Sequence, residues 1–295
     1  MQAGRTLAEF DTELPAKELP SYDRGPWTGL KLIALKYYLP AYLNILAKRT
    51  HVGYVDFFAG PGLNRIGERR VPLPGSPLIP VVIREASPER FFHHYFVCEQ
   101  DEEYCEALTA RMENFLDRRA RMTSFYGDAN EFVGRLPRLV REMGIGHCLV
   151  FVDPEGLEWA WDSMTELVSH VSCDVIVNFP SSGLQRISTR PDTRATIGRF
   201  LGRGEQDLPA SVNEEWALQV YRENLANLGK DISTEIRITD YGAYHYDLIP
   251  AVSSTISGSP WFKTFLELRD RVHRLHGEIL NMVAQQIDGV LGTIV

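Results

Sequence analysis

The sequence of 295 residues contains no uninterrupted apolar run near 18 residues, so nothing in it reads as a membrane span. Cysteine is scarce. Cys98, Cys105, Cys148 and Cys173 are the only four, none forms a C-x-x-C pair, and three lie in or beside strongly apolar stretches. That pattern predicts reduced, buried thiols and argues against a structural zinc or iron–sulfur site in the chain. The first ten residues lack the charged start and apolar stretch of a secretory leader, and with the thiols this gives an expectation of a cytoplasmic protein. No Gly-x-Ser-x-Gly elbow, no Walker A lysine and no internal repeat or low-complexity segment occurs. His93 and His94 point to opposite faces of one strand-like run, and His273 and His276 lack a third ligand, so no metal site is expected.

Lysine is also scarce. The 31 basic residues are 25 arginine against six lysine, beneath a net charge of −8. The negative balance disfavours a general nucleic-acid coat. The arginines nevertheless cluster, most extensively as Arg186, Arg190, Arg194, Arg199 and Arg203. Arginine suits bidentate phosphate contacts, so this segment is either a phosphate-binding face or a solvated surface loop.

What the chain does contain is an alternation of strand-like and helix-like runs. Residues 1–26 lack a sustained period and read as an arm. Helical spacing predicts a helix over 27–47, kinked at Pro40. Strands are predicted at 54–58, 91–98, 122–126, 148–152 and 174–179. Helices are predicted over 76–85, capped by Ser76, and over 102–116, 130–143 and 161–170. Five strands alternating with helices imply a parallel sheet covered on both faces. The pattern then breaks. A polar, Arg-rich insertion is expected over about 181–210, then a helix over 214–228. Strands at 232–240 and 243–252 flank Tyr241-Gly242, a hairpin signal, and a helix follows over 260–286. The expectation is an α/β, Rossmann-like fold over 27–257, with a mostly parallel seven-stranded sheet that ends in an antiparallel hairpin. A helical extension would occupy 258–295.

Ligands of open α/β sheets bind at the carboxyl ends of the strands, and the chemistry-bearing residues fall there. Asp56-Phe57-Phe58-Ala59-Gly60-Pro61-Gly62 closes the first strand. Its glycines let the backbone approach a ligand closely. Arg65 stands where the dinucleotide fingerprint needs a third glycine, so that match fails. An acidic residue before Ala-Gly-x-Gly suits a cofactor with a cationic amino-acid portion. Glu99 closes the second strand, where a carboxylate can bond a ribose diol. Its long interval from Asp56 is explained if 63–75 is an inserted loop. After the third strand, Asp128 could meet an adenine amino group, cap the next helix, or both, with Ala129 beside it. Asp153-Pro154-Glu155 closes the fourth strand and could offer a carboxylate and carbonyls to a substrate amino group. Trp159 or Trp161 could stack on a base or belong to the core. Asn178, closing the fifth strand, could line the cleft or cap a turn.

Taken in order, these motifs resemble the class I S-adenosylmethionine-dependent methyltransferases, and more narrowly the three-Cys-motif partner protein family. The narrower resemblance rests on Trp27 with Lys31-Leu32, the Asp56–Gly62 loop, Gly75-Ser76-Pro77-Leu78, Glu99, Gly127-Asp128-Ala129-Asn130 and Val152-Asp153-Pro154-Glu155-Gly156-Leu157. It covers 27–185 well and the rest loosely. It implies a Rossmann methyltransferase fold, S-adenosylmethionine as cofactor and a partner protein carrying a three-cysteine iron–sulfur motif. Asp56, Phe57, Ala59, Gly60, Gly62, Glu99, Asp128 and Ala129 would then hold the cofactor, and Asp153, Pro154 and Glu155 would face the acceptor. The fourth motif is similar to the Asp-Pro-Pro-Tyr signature of amino-directed nucleic-acid methyltransferases, but Glu155 and Gly156 replace its last two residues. The leading expectation is N-methylation of an RNA or DNA base, with Trp159, Asn178, Arg186, Arg190 and Arg194 contacting the substrate. Methylation of a protein or small molecule, and a non-catalytic scaffold for the three-cysteine partner, are the alternatives.

Overall fold

The computed structural model describes residues 19–25, 27–47, 50–67, 70–81, 91–116, 118–239, 245–255, 262–270 and 272. Its main sheet is built on β2 (Val52–Asp56), whose five residues are all buried, as a central parallel strand requires. β5 (His94–Glu99) pairs with one edge of β2 and β7 (His147–Val152) with the other, both parallel. β6 (Arg121–Tyr126) continues outward from β5, and β8 (Cys173–Phe179) from β7. β11 (His245–Val252) then runs antiparallel to β8, and β10 (Ile236–Thr239) antiparallel to β11. The order is β10-β11-β8-β7-β2-β5-β6, with the two-residue β9 (Ile232–Ser233) added to β11. A reversed strand inserted beside the fifth parallel strand distinguishes this sheet from that of Rossmann dehydrogenases. The fold is α/β and Rossmann-like, of the methyltransferase type.

Period-two alternation divides the core between the faces. Tyr54, Tyr95 and Val97 belong to one apolar cluster, and Val55, Phe96 and Cys98 to the other. The first face is covered by α1 (Trp27–Leu46) and helical residues 262–270. Tyr38 stacks on Phe265 at 3.9 Å between ring centroids. Its hydroxyl donates to Asp174, and Tyr42 bonds His147, so α1 is tied to the starts of β8 and β7. The second face is covered by α3 (Ala129–Val133), α5 (Trp161–His170), α7 (Arg194–Leu201) and α8 (Glu214–Asn227). All four cysteines are buried and free. Burial raises the thiols of Cys98, Cys148 and Cys173, the last to about 12, which keeps them protonated.

Several expectations are corrected. The stretch read as an inserted loop is a hairpin, β3 (Leu63–Ile66) with β4 (Val71–Pro74), and β1 (Tyr22–Arg24) adds to β3 in parallel as a second, three-stranded sheet. The helix expected from Ser76 begins as a turn over 76–78, is helical at 79–81, and its remainder lies outside the described residues. The helix expected over 27–47 is observed, with Pro40 inside it. The helix expected over 130–143 is divided at Gly134 and Arg135 into α3 and α4 (Leu136–Glu142). The Arg-rich segment is folded, not a loop. It contains α6 (Ser181–Ile187), α7 and two short 3-10 turns, and Ile197, Phe200 and Leu201 are fully buried. The expected strand 232–240 is split into β9 and β10. The hairpin turn at Tyr241-Gly242 and most of the helix expected over 260–286 lie outside the described residues. No described helix is long and apolar enough to cross a membrane.

Candidate functional site

A cleft of about 840 Å³ opens at the carboxyl ends of β2, β5, β6 and β7, where an open α/β sheet binds its ligands. Gly60 and Gly62 adopt left-handed φ values of 61° and 80°, which a side chain would resist. Gly75, at the end of the β3–β4 hairpin, donates its amide to the Gly62 carbonyl at 2.7 Å. A Cβ there would meet the Gly62 backbone at 3.0 Å, so the hairpin closes back onto the loop only through glycine.

Glu99 stands beside this loop at the tip of β5. One carboxylate oxygen accepts the Gly60 amide at 2.7 Å and the other the Asp101 amide at 2.9 Å. Burial raises its carboxyl, and these amides counter the rise. Glu99 also lines the cleft. Asp128 caps α3 by accepting the Asn130 amide at 2.6 Å, and it also lines the cleft. Asn130 holds the far wall. Its oxygen accepts from the Ala160 amide and the Ser163 hydroxyl, and its nitrogen donates to the Glu158 carbonyl.

At the end of β7, Asp153 is almost enclosed. Lys31 Nζ lies 2.5 Å from its Oδ2, and Asn178 Nδ2 donates to its Oδ1 at 2.7 Å. Lys31 also sits 5.8 Å from the centre of the Tyr246 ring. Glu155, two residues on, pairs with Arg24 of β1. The acidic turn thus meets two cations supplied by the N-terminal segment.

Of the site residues expected from the sequence, Phe57, Ala59, Gly60, Gly62, Glu99, Asp128, Ala129, Asp153, Pro154, Glu155 and Asn178 line this one cleft. Asp56 does not. It is completely buried and organises the loop, accepting from the Phe58 amide and the Tyr54 hydroxyl. Burial is the largest influence on its carboxyl, which is pushed up to about 7. Trp159 is fully buried, 4.7 Å from Phe57 between ring centroids, so its ring packs in the core rather than facing a base. Arg194 donates to the carbonyls of Glu205, Leu208 and Pro209, closing the turn after α7, and so serves the fold. Arg186 and Arg190 are exposed and lie off the cleft lining. The sequence reading missed Tyr22, Arg24, Lys31 and Tyr246 as site residues. Lys31 contacts Asp153 across 122 residues and Arg24 contacts Glu155 across 131, so no local spacing announces either.

No family model and no curated protein matches the sequence. Among solved structures, the chain is similar to protein LPL1258 from Legionella pneumophila str. Philadelphia 1, with 13% identity, a TM-score of 0.47, and coverage of 80% of this chain and 90% of that one. It is also similar to Trm1 from Pyrococcus horikoshii in complex with S-adenosyl-L-methionine, with 13% identity, a TM-score of 0.46, and coverage of 81% of this chain but only 58% of that one. A third is magnesium protoporphyrin IX methyltransferase from Synechocystis PCC 6803 with bound SAH, with 12% identity, a TM-score of 0.38, and coverage of 75% and 84%. At such identities and TM-scores these likenesses carry no argument about the chemistry of this chain, which rests on its own cleft.

Proposed function

We propose that this protein is an S-adenosylmethionine-dependent methyltransferase whose acceptor is a nitrogen of an RNA or DNA base. The observation that carries the reading is the pairing of left-handed Gly60 and Gly62 with the Glu99 carboxylate at the edge of one large cleft. That pairing fits an adenosyl ligand. The left-handed glycines shape the turn that the Tyr22 ring and Leu108 pack against, and Glu99 presents its carboxylate to the cleft, where a diol would bond it. Asp101, Asp128, Asp153, Glu155 and Glu158 also line the cleft, against Arg24 and Lys31. An acidic lining favours a cationic ligand.

The cofactor supplies an electrophilic methyl group on a sulfonium centre. The chain supplies position, which is where most of the catalysis of such a transfer lies. Asp153, fixed by Lys31 and Asn178, orients the N–H of the acceptor through its remaining lone pairs. The buried wall of Phe57 and the Pro154 turn limits water. α6 begins three residues after Asn178, so Arg186 lies on a helix that starts near the cleft edge and could meet the phosphates of a substrate whose base is flipped inward.

The test is transfer of labelled methyl groups from S-adenosylmethionine to pooled RNA and DNA, with Glu99→Ala as control. Incorporation that the variant loses, into a base nitrogen identified by mass spectrometry, supports the reading. Binding of S-adenosylhomocysteine without incorporation into either nucleic acid sinks the base acceptor. A second reading, a protein or small-molecule acceptor, is favoured by the acidic cleft and by the withdrawal of Arg194 into the fold. A third, a non-catalytic scaffold for a three-cysteine iron–sulfur partner, is favoured by the two ion pairs that already engage Asp153 and Glu155. Turnover on a non-nucleic acceptor would select the second, and cofactor binding without turnover on any acceptor the third.

A further inference from the structure

β1 stands outside every motif of the main sheet, yet it is anchored at the centre of the site. Arg111 on α2 (Glu102–Phe115) is 1% exposed and donates to the carbonyls of Pro61, at 2.5 Å, Pro20, at 2.7 Å, and Leu19, at 3.2 Å. One buried guanidinium therefore ties the glycine loop to the segment that leads into β1. A charge is costly to bury without hydrogen bonds, and these three carbonyl acceptors belong to the two segments that Arg111 joins.

This anchoring seats Tyr22 on the glycine loop. A Cβ on Gly60 would lie 2.7 Å from the Tyr22 ring, so the ring rests directly on the Gly60 backbone. Tyr104 meets the same ring edge-on at 4.8 Å, and the Arg24 guanidinium lies 4.1 Å from its centre. Tyr22 lines the cleft. Burial, and after it the charges of Glu99 and Glu155, raises its phenol, so the hydroxyl stays protonated as a donor.

We infer that Tyr22 is a cofactor-binding residue, its ring walling the Gly60 side of the cofactor subsite and its hydroxyl donating to an oxygen of the ligand. This rests on the S-adenosylmethionine reading. It makes the N-terminal strand a part of the cofactor site, because the same strand that carries Tyr22 carries Arg24 to the acceptor turn.

Calorimetric titration with S-adenosylhomocysteine on the wild type, Tyr22→Phe and Tyr22→Ala tests it. Loss of one hydrogen bond predicts about five-fold weaker binding for Tyr22→Phe. Loss of the ring as well predicts at least roughly thirty-fold weaker binding for Tyr22→Ala. Because Tyr22→Ala could loosen β1 itself, amide hydrogen exchange of the wild type provides a second measure. Saturating S-adenosylhomocysteine should protect residues 22–24 together with 60–62. Binding within two-fold of wild type in both variants overturns the inference, as does protection of 60–62 without 22–24. A wild type that does not bind S-adenosylhomocysteine at all overturns the cofactor reading and this inference with it.

Discussion

The two ends of the cleft are held by contacts of different range and cost. At the glycine-loop end, Glu99 is fixed by backbone amides, one of them only two residues away, and Asp128 is fixed by the first turn of its own helix. At the end proposed to face the acceptor, Asp153 and Glu155 are fixed by side-chain cations that the N-terminal segment supplies. Those amides belong to the backbone of the loops after β2 and β5 and of the first turn of α3, so no side-chain substitution removes them, whereas Lys31 and Arg24 can be replaced without altering a backbone donor. The glycine-loop end is therefore a property of the fold, and the acceptor end a property of how the N-terminal segment docks. Substitutions at the two ends should separate ligand affinity from stability.

The sharpest break is expected at Lys31. Its side chain is 16% exposed and that of Asp153 13%, so Lys31→Met leaves a nearly buried carboxylate beside only an amide. Removing one partner of such a pair costs about 3 kcal/mol, read as a lower midpoint in urea. Asp153→Asn alone should cost a similar amount, and the double variant less than the sum of the two. Affinity for S-adenosylhomocysteine should stay within about two-fold, since no cofactor-end contact is touched; a parallel collapse of affinity would show that the two ends are not separable.

Glu99→Gln acts at the other end. The amide side chain keeps one acceptor for either Gly60 or Asp101 but loses the charge and half of the fork. Hydrogen bonds to charged groups are worth about 1.5–3 kcal/mol each, so affinity for S-adenosylhomocysteine should fall by roughly ten- to a hundred-fold, and the urea midpoint should fall as well, because one of the Gly60 and Asp101 amides loses its acceptor. Unchanged affinity in calorimetry would remove Glu99 from the cofactor site.

The same division decides what was legible in the sequence. The succession of strands and helices, the glycine loop, the place of Glu99 and the Asp128 cap follow from period, capping and the position of a residue at a strand end, all of which act within one βα unit. Trp159 and Arg194 could not be placed that way. An indole beside an acidic turn and an arginine in a basic cluster look the same in sequence whether they face solvent or the core. Only the packing of Phe57 against Trp159, and the carbonyls of 205–209 left open by α7, decide the matter. Asp56 misled for a related reason. It carries the acidic residue of the loop motif, but its carboxyl turns inward beneath the loop.

That inward carboxyl gives a stability effect with a definite pH window. Asp56 titrates near 3.8 when unfolded and near 7 when folded. Its protonated form is thus preferred by the fold. Its contribution is complete below about pH 4 and is lost as pH rises towards 7. Asp56→Asn mimics the protonated form, so the variant should gain on the wild type by roughly 1–2 kcal/mol at about pH 8 and by little at about pH 4. Equal differences at both pH values, in paired urea melts, would show that the carboxyl does not titrate there.

The smallest effect is expected at Arg24, and it tests the comparison most finely. The Arg24–Glu155 pair resembles Lys31–Asp153 in topology, since each joins the N-terminal segment to the acceptor turn. It differs in exposure, with side chains 34% and 65% accessible. Water solvates either charge if the other is removed, so Arg24→Gln should lower stability by under about 1 kcal/mol. The Glu155→Gln variant should do no more, and both losses should shrink further in high salt. If Arg24→Gln instead costs as much as Lys31→Met, the pair is not a solvated latch. The guanidinium would then be serving through its contact with the Tyr22 ring. Arg24→Gln in a Tyr22→Leu background, where the ring is already gone, should then cost little more, whereas the same loss in both backgrounds would show that the ion pair is all that Arg24 provides.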